Sequence, residues 1–186
     1  PIKDETEGDC TQVAIVGRPN VGKSSLLNAI LKQTRVIVDN QSGTTRDSIE
    51  VNYKYQGQKY VFVDTAGLRR RAKIRDAIEY FSILRSDRAM QASDLVIMVL
   101  DAEMGLSDQD KKILHLVMTY KRNMIVFVNK CDLIPQGKII EKDLMRLLKN
   151  MVPQLNAYPI IFGSATERSK LTNLLDMIPK VVSDSQ

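Results

Sequence analysis

The chain has 186 residues, 44% hydrophobic and 26% charged, with a formal net charge of +5. That length suits one domain with a full core, and its apolar runs, such as 95–100, are far too short to span a bilayer. Two cysteines, Cys10 and Cys131, and one histidine argue against a disulfide framework and a zinc site and point to a reducing compartment.

The charge is uneven. Residues 1–9 set Lys3 against Asp4, Glu5, Glu7 and Asp9, a sum of −3, so the remainder carries +8. That excess is compatible with a nucleic-acid or ribosome-like partner held through phosphate contacts. A merely soluble basic surface explains it equally well. No signal-peptide pattern opens the sequence, so the expected compartment is the cytoplasm, or an organellar matrix or stroma in a eukaryote.

In chain order, residues 1–11 are polar and acidic and read as a linker or tail; a globular domain is expected over 12–182, with a short tail at 183–186. The first buried strand covers 12–17. Directly after it, Gly17-Arg18-Pro19-Asn20-Val21-Gly22-Lys23-Ser24 fits the phosphate-loop pattern G-x-x-x-x-G-K-[ST]. Ser25 and the apolar positions Leu26, Leu27, Ile30 and Leu31 then read as the first helix, over 23–32. This strand–loop–helix context is what gives the motif its weight. Its glycines let the backbone curl so that successive N–H groups form an anion nest, and the helix adds its positive end. Lys23 can then reach the β- and γ-phosphates, and the Ser24 hydroxyl can ligate magnesium.

A turn-rich stretch follows, Asn40-Gln41-Ser42-Gly43-Thr44-Thr45-Arg46-Asp47. Alternating Ile49, Val51, Tyr53 and Tyr55, a turn at Gln56-Gly57-Gln58 and a return over 59–64 predict an antiparallel hairpin. The second strand ends in Asp64-Thr65-Ala66-Gly67, followed by Leu68 and a basic run of Arg69, Arg70, Arg71, Lys73 and Arg75. A helix is expected over 76–92 and a buried strand over 94–101. Ser107 and Asp108 are candidate caps for a helix running to about Lys121. Another buried strand over 124–128 ends in Asn129-Lys130-Cys131-Asp132. A helix over 137–151, a short strand over 159–162 ending before Gly163-Ser164-Ala165, and a helix stopped near Pro179 complete the chain. Strands alternating with helices predict an α/β domain: a mostly parallel six-stranded sheet, one antiparallel edge strand, and helices on both faces. The motif-bearing loops then converge on the edge formed by the carboxyl ends of the strands.

Asn129-Lys130-Cys131-Asp132 fits N-K-x-D. The Asp132 carboxylate offers two acceptors, matching the adjacent ring N–H and exocyclic amine of guanine, a pair that adenine lacks. Sites built on such hydrogen bonds discriminate by roughly 10⁴-fold or more, because the wrong base leaves a buried group unpaired. Asn129 is expected to tether this loop to the phosphate loop, Lys130 to cover the base, and Ser164-Ala165 to offer backbone contact to the guanine oxygen. Asp64 is expected to hold magnesium through water, with Thr65 and Ala66 in the same loop and the Gly67 N–H sensing the γ-phosphate. Thr44 or Thr45 is a further magnesium and γ-phosphate contact; a satisfied surface turn is the plainer account of that pair. Leu68 stands where many small GTPases carry a glutamine that orients the attacking water. A leucine cannot bond water, so catalysis comes from elsewhere or is slow. Arg18, Arg46 and Arg69 to Arg71 are the candidate cations.

These residues resemble the Era-like branch of the phosphate-loop GTPases, and within it the Der, or EngA, ribosome-assembly GTPases. The resemblance rests on Gly17 to Ser24 with Asn20, Gly43-Thr44-Thr45-Arg46-Asp47, Asp64 to Arg71, Lys73-Ile74, Ile78-Glu79-Tyr80-Phe81-Ser82, Arg85 and Ala89, and it covers about residues 12–180. It implies the phosphate-loop GTPase fold, binding of GTP and GDP with Mg²⁺, hydrolysis of GTP, and a partner in ribosomal RNA of the large subunit. It further implies that this is the second of two tandem GTPase domains, with a neighbouring GTPase domain and a KH-like domain in a longer parent chain. Cys131 departs from the family, which usually has an aromatic residue there. Relatives with a hydrophobic residue at the position of Leu68 are stimulated by potassium, held by an asparagine at the position of Asn20. That resemblance places K⁺ at Asn20 and counts Asn20, Lys23, Thr45 and Gly67 as catalytic; a loop-stabilising hydrogen bond is the plainer account of Asn20. The basic run after Leu68 is read as an RNA or domain contact, with a solvated loop as the alternative. A GTPase domain of a tRNA-modifying enzyme shares Asn20 and Gly43 to Asp47 but lacks the basic run. A membrane iron transporter would need membrane helices, and none is expected here. A nucleotide-dependent binding module with negligible hydrolysis is compatible with Leu68.

Overall fold

The computed structural model of the protein describes residues 10–33, 37–39, 50–65, 68, 86–135 and 137–185. The expectations placed on the acidic segment 1–9, on Thr44, Thr45 and Arg46, on Ala66 and Gly67, and on the basic run from Arg69 to Arg75 lie outside the described residues.

A seven-stranded sheet forms the centre of the domain, with strand order β2-β3-β4-β1-β5-β6-β7. The strands are β1 (Thr11–Val16), β2 (Ile37–Asp39), β3 (Val51–Tyr55), β4 (Gln58–Phe62), β5 (Leu95–Asp101), β6 (Asn123–Asn129) and β7 (Ile160–Phe162). β1 lies parallel between β4 and β5, and β5, β6 and β7 continue in parallel. The mostly parallel α/β architecture is as expected. The expected antiparallel strand is β3, which runs against both of its neighbours. It is not the edge, because the three-residue β2 pairs outside it and makes the seventh strand. Ile37 to Asp39 is too short to carry a readable alternation, so only its pairing reveals it. Between β3 and β4, Gln56 and Gly57 both take positive φ, 49° and 78°, the conformation a two-residue hairpin needs to match strand twist. Tyr53 faces Tyr60 in the register and stacks on it at 5.0 Å between ring centroids, a cross-strand aromatic pair that pins the hairpin.

Helices cover both faces. They are α1 (Lys23–Leu31), α2 (Asp108–Thr119), α3 (Gly137–Met151) and α4 (Leu171–Ser183), with a further helical stretch at 86–91. Along β5 every residue is buried, because helices pack on both sides and each pleat direction needs an apolar side chain. The odd positions Leu95, Ile97 and Val99 pack with Leu26, Ile30, Leu174 and Ile178 on the α1–α4 face. The even positions Val96, Met98 and Leu100 pack with Ile113, Leu114, Val117 and Leu148 on the α2–α3 face. Each fully buried aliphatic side chain of this kind contributes about 1.5–3 kcal/mol of transfer free energy.

One helix ends elsewhere than the sequence predicts. α4 does not stop at Pro179 but runs through it to Ser183. Pro179 has no N–H to give to the preceding turn. Burial of Ile178 and packing of Val181 and Val182 against the core outweigh that missing bond. α2 begins at Ser107, which forms a reciprocal capping box with Asp110 rather than acting with Asp108.

Because β1, β4, β5, β6 and β7 are parallel, their carboxyl ends share one edge of the sheet. The chain leaves β1 for the β2–β4 side and later crosses to β5 on β1's other flank. Such a reversal of strand order opens a crevice between diverging loops.

Candidate nucleotide site

The loop from Gly17 to Gly22 fills the step from β1 to α1. Gly17 takes φ +155° and Gly22 φ +100°. A Cβ on Gly17 would lie 2.7 Å from the Val99 carbonyl oxygen, so the loop passes too close to β5 for any side chain there. Among the described residues no side chain caps α1, whose N-cap Gly22 is left-handed. The first-turn N–H groups of α1 therefore remain directed at the crevice, the arrangement that suits a phosphate. Lys23 is 8% exposed, and its Nζ donates to the carbonyls of Gly17 and Arg18, the latter at 2.8 Å. Its ammonium is thereby held against the loop instead of trailing in solvent. Asn20 sits at the outer bend, exposed and with φ +67°.

Four further segments close on this loop. Ser24 Oγ donates to the Leu68 carbonyl at 2.6 Å, which ties α1 to the segment after β4. The Leu68 side chain packs partly buried against the core, so it offers no polar group to a reacting water. Asp64 at the end of β4 is half-buried and takes φ +53°, a left-handed conformation that aspartate tolerates better than most residues. Thr65 beside it is fully buried.

From the end of β6, Asn129 reaches across the crevice. Its Nδ2 donates to the Val21 carbonyl at 2.9 Å, and its Oδ1 accepts from the Ala165 N–H at 2.9 Å. One buried amide therefore joins the phosphate loop, the β6 loop and the loop after β7. The motif spacing offers the Ser164 and Ala165 backbone to a base. In the structure the Ala165 N–H is given to Asn129 and the Ser164 N–H to the Ser169 carbonyl at 3.3 Å, because a buried amide needs its acceptor filled. Asp132 lies in the short 3₁₀ turn Cys131–Leu133 and is exposed. Cys131 beside it is half-buried, and burial, with the Glu141 and Asp132 carboxylates, pushes its thiol up to about 11.

Two carboxylates that sequence reasoning missed complete the site. Lys130, at φ +66°, donates its Nζ to the Asn20 carbonyl and pairs with Asp101 Oδ2, both at 2.8 Å. Burial alone would raise the Asp101 carboxyl. The Lys130 hydrogen bond, the N–H groups of Met104 and Glu103, and the Lys130 charge outweigh it and hold the group below the usual carboxylate range. Arg18 turns away from the crevice, its Nε 3.1 Å from Asp110 Oδ2 and its Nη2 3.4 Å from the Gly105 carbonyl. As a candidate cation for the reacting phosphate, Arg18 is thus committed to a carboxylate elsewhere. A readable signal for Asp110 existed in the S-x-x-D spacing from Ser107; Asp101 had none beyond its place at a strand end.

Ser24 and Asp64 present only oxygen donors, a hydroxyl and a carboxylate, which suits a hard divalent ion that keeps waters and substrate phosphates as its other ligands. Among the described residues there is no cluster of three or more His, Cys, Asp or Glu able to hold a metal by itself. No helix among them is long and apolar enough to cross a membrane.

Comparison with known proteins agrees with this geometry. Residues 12–130 match the family described as 50S ribosome-binding GTPase. The chain is 43% identical over 181 residues to GTPase Der of Geobacillus thermodenitrificans, covering 97% of this chain and 41% of that protein. It therefore spans about two fifths of the length of the curated relatives it matches. Among solved structures it resembles Era in complex with MgGDPNP and a segment of 16S ribosomal RNA. That match has a TM-score of 0.70 and 26% identity, and covers 92% of this chain and 56% of Era. It also resembles the G domain of the Thermotoga maritima FeoB iron transporter, with a TM-score of 0.57 and 25% identity, covering 96% of this chain and all of that one.

Proposed function

We propose, for a chain that belongs to the 50S ribosome-binding GTPase family, that it binds GTP, hydrolyses it to GDP and phosphate, and works as a switch in assembly of the large ribosomal subunit. The observation that carries this reading is Asn129, whose amide joins the phosphate loop to the N-K-x-D loop and to Ala165. It brings the phosphate-binding and guanine-binding motifs to one crevice. The greater identity to Der than to the iron-transporter domain favours the ribosomal role.

In this reading the loop N–H groups and Lys23 bind the β- and γ-phosphates and neutralise charge as it develops on the γ-phosphoryl oxygens. Asp132 accepts the two guanine donors, and the Lys130 stem covers the base. Ser24 and Asp64, with Thr45, would hold Mg²⁺, which would supply neutralisation of the phosphate charge. Gly67 would sense the γ-phosphate, and the order of its loop would then report hydrolysis. The role of the missing glutamine falls to Asn20, whose exposed amide oxygen is a suitable hard ligand for K⁺. The backbone carbonyl of Asn20 is already occupied by Lys130, so the side chain is the group offered.

Turnover of GTP measured in potassium and in sodium chloride at equal ionic strength tests both layers. Hydrolysis in neither salt refutes the GTPase reading. Equal rates in the two salts, or a potassium preference retained in Asn20→Ala, refute only the potassium assignment. The basic run Arg69 to Arg71 is assigned to ribosomal RNA. Replacing all three should weaken RNA binding and flatten its salt dependence by roughly one unit of slope for each phosphate no longer neutralised. A neighbouring GTPase domain, a KH-like domain and a cytoplasmic or organellar location belong to the same proposal.

A further inference from the structure

The segment after β5 belongs to no nucleotide motif, yet both nucleotide loops lean on it. Asp101 closes β5, and its Oδ1 accepts the N–H groups of Glu103 at 2.9 Å and Met104 at 3.2 Å. The Gly105 N–H bonds the Asp101 carbonyl at 3.0 Å, so 101–105 is a tight, internally bonded turn. The turn leads directly into the Ser107–Asp110 capping box, where Asp110 Oδ2 accepts from both the N–H and the Oγ of Ser107 at 2.9 Å. This short stretch carries two buried carboxylates, and each meets a cation from a different nucleotide loop. Asp101, with a side chain 5% exposed, pairs with Lys130 of the base loop. Asp110, with a side chain 0% exposed, pairs with Arg18 of the phosphate loop. Gly105 adds its carbonyl to Arg18.

The Asp110 pair is more than a helix cap. The cap needs one oxygen, Oδ2, and a neutral acceptor would serve it. Among the described residues Asp110 Oδ1 is buried without a hydrogen-bond partner, and Arg18 Nε lies within ion-pair distance but off the line of a good hydrogen bond. The charge of Arg18 therefore balances a carboxylate that is fully buried, and an unbalanced buried charge is costly. Arg18 in turn has its own carbonyl occupied by Lys23 Nζ. Anchoring the Arg18 side chain fixes the peptide on which the phosphate-binding lysine rests. On the other side, Lys130 spans from Asp101 to the Asn20 carbonyl, two residues further along the same loop.

We propose that residues 101–110 form a bracket that sets the nucleotide loops in register, with Asp110 positioning the phosphate side through Arg18 and Asp101 positioning the base side through Lys130. The proposal rests on the nucleotide-binding reading above. It assigns no chemistry to either carboxylate; both are positioning residues. The two arms differ in what they hold, so they should separate by ligand. Asp110→Asn keeps an acceptor for the Ser107 cap and removes the charge that anchors Arg18. It should weaken GDP, whose β-phosphate lies in the loop, by about tenfold through loss of the ion pair that anchors Arg18, while GMP binding changes little. Asp101→Asn should weaken GDP and GMP by the same factor. GTP should follow GDP.

The test is competition binding of GDP, GTP and GMP to the folded protein for the wild type, Asp110→Asn, Arg18→Gln, the double variant, Asp101→Asn and Ser107→Ala. The expected result is a reduced GDP-to-GMP affinity ratio in Asp110→Asn and Arg18→Gln, with the double variant no worse than either single one. Ser107→Ala, which loses the cap but not the ion pair, should melt lower and keep the wild-type ratio. A wild-type ratio in Arg18→Gln overturns the phosphate arm even if Asp110→Asn fails to fold. Losses that multiply in the double variant overturn it as well. A wild type that binds no guanine nucleotide would instead sink the underlying nucleotide-binding reading.

Discussion

The amide of Asn129 passes through the space where Gly22 would carry a side chain. A Cβ built on Gly22 falls on Asn129 Nδ2, the atom that donates to the Val21 carbonyl. The second glycine of the phosphate loop is thus required twice, for its left-handed φ of +100° and for the crossing of Asn129, whose amide reaches the Val21 carbonyl 108 positions back along the chain.

Gly22→Ala should therefore break the tether as well as strain the loop. The positive φ alone costs roughly 1–2 kcal/mol for an L-residue, and displacement of Asn129 leaves a buried amide unsatisfied. GDP affinity should fall at least 100-fold, read by fluorescent-nucleotide titration, while the far-ultraviolet circular dichroism stays that of the wild type. Asn129→Ala should reproduce the loss of affinity without the backbone strain. Near-normal binding in both would show that the crossing is incidental.

Base selection is assigned to Asp132, exposed in the turn that follows Lys130. Asp132→Ala removes both acceptors for guanine, and the GTP-over-ATP preference should collapse by several orders of magnitude toward unity. Competition of each nucleotide against labelled GDP measures it. A retained preference would move base recognition elsewhere in the crevice.

Acid should loosen the base loop through Asp101. Its carboxyl is held below the usual range, so its stabilising contribution is present above the ordinary aspartate pKa and lost as pH falls through the lowered native value. The urea midpoint difference between wild type and Asp101→Asn should stay constant from about pH 5 to 8 and shrink below about pH 4. A difference that already declines near neutrality would contradict this assignment.

The thiol beside the base-loop aspartate should be sluggish. With its pKa pushed up to about 11 from 9.0, Cys131 holds roughly a hundredfold less thiolate at pH 8 than an ordinary cysteine. Alkylation by iodoacetamide, followed by peptide mass spectrometry, should proceed correspondingly slowly at Cys131. Rapid labelling at pH 8 would mean that the half-buried position opens in solution.

Most of the architecture was legible in the residues. Continuous apolar runs at β5 and β6 announced strands buried on both faces, and Gln56-Gly57 announced a hairpin that closes with two positive-φ residues. Pro179 misled because a single missing hydrogen bond is a local rule, while Ile178, Val181 and Val182 are held by the α1–α4 core. The strand Ile37–Asp39 escaped notice because three residues cannot display a period.

The sequence by itself determined the chemistry on offer: the phosphate loop at Gly17 to Ser24, the carboxylates Asp64 and Asp132, and Leu68 in place of a polar group. Those features are local, and local patterns survive being read in one dimension. The tertiary structure alone decided which groups hold that chemistry in place. Arg18 on Asp110, Lys130 on Asp101 and Asn20, and Asn129 through the gap at Gly22 join loops that are adjacent only because parallel strands end on one edge. An ion pair or a steric gap between distant residues leaves no periodicity or spacing to read. It exists only once the order β4-β1-β5-β6-β7 has brought those strand ends together.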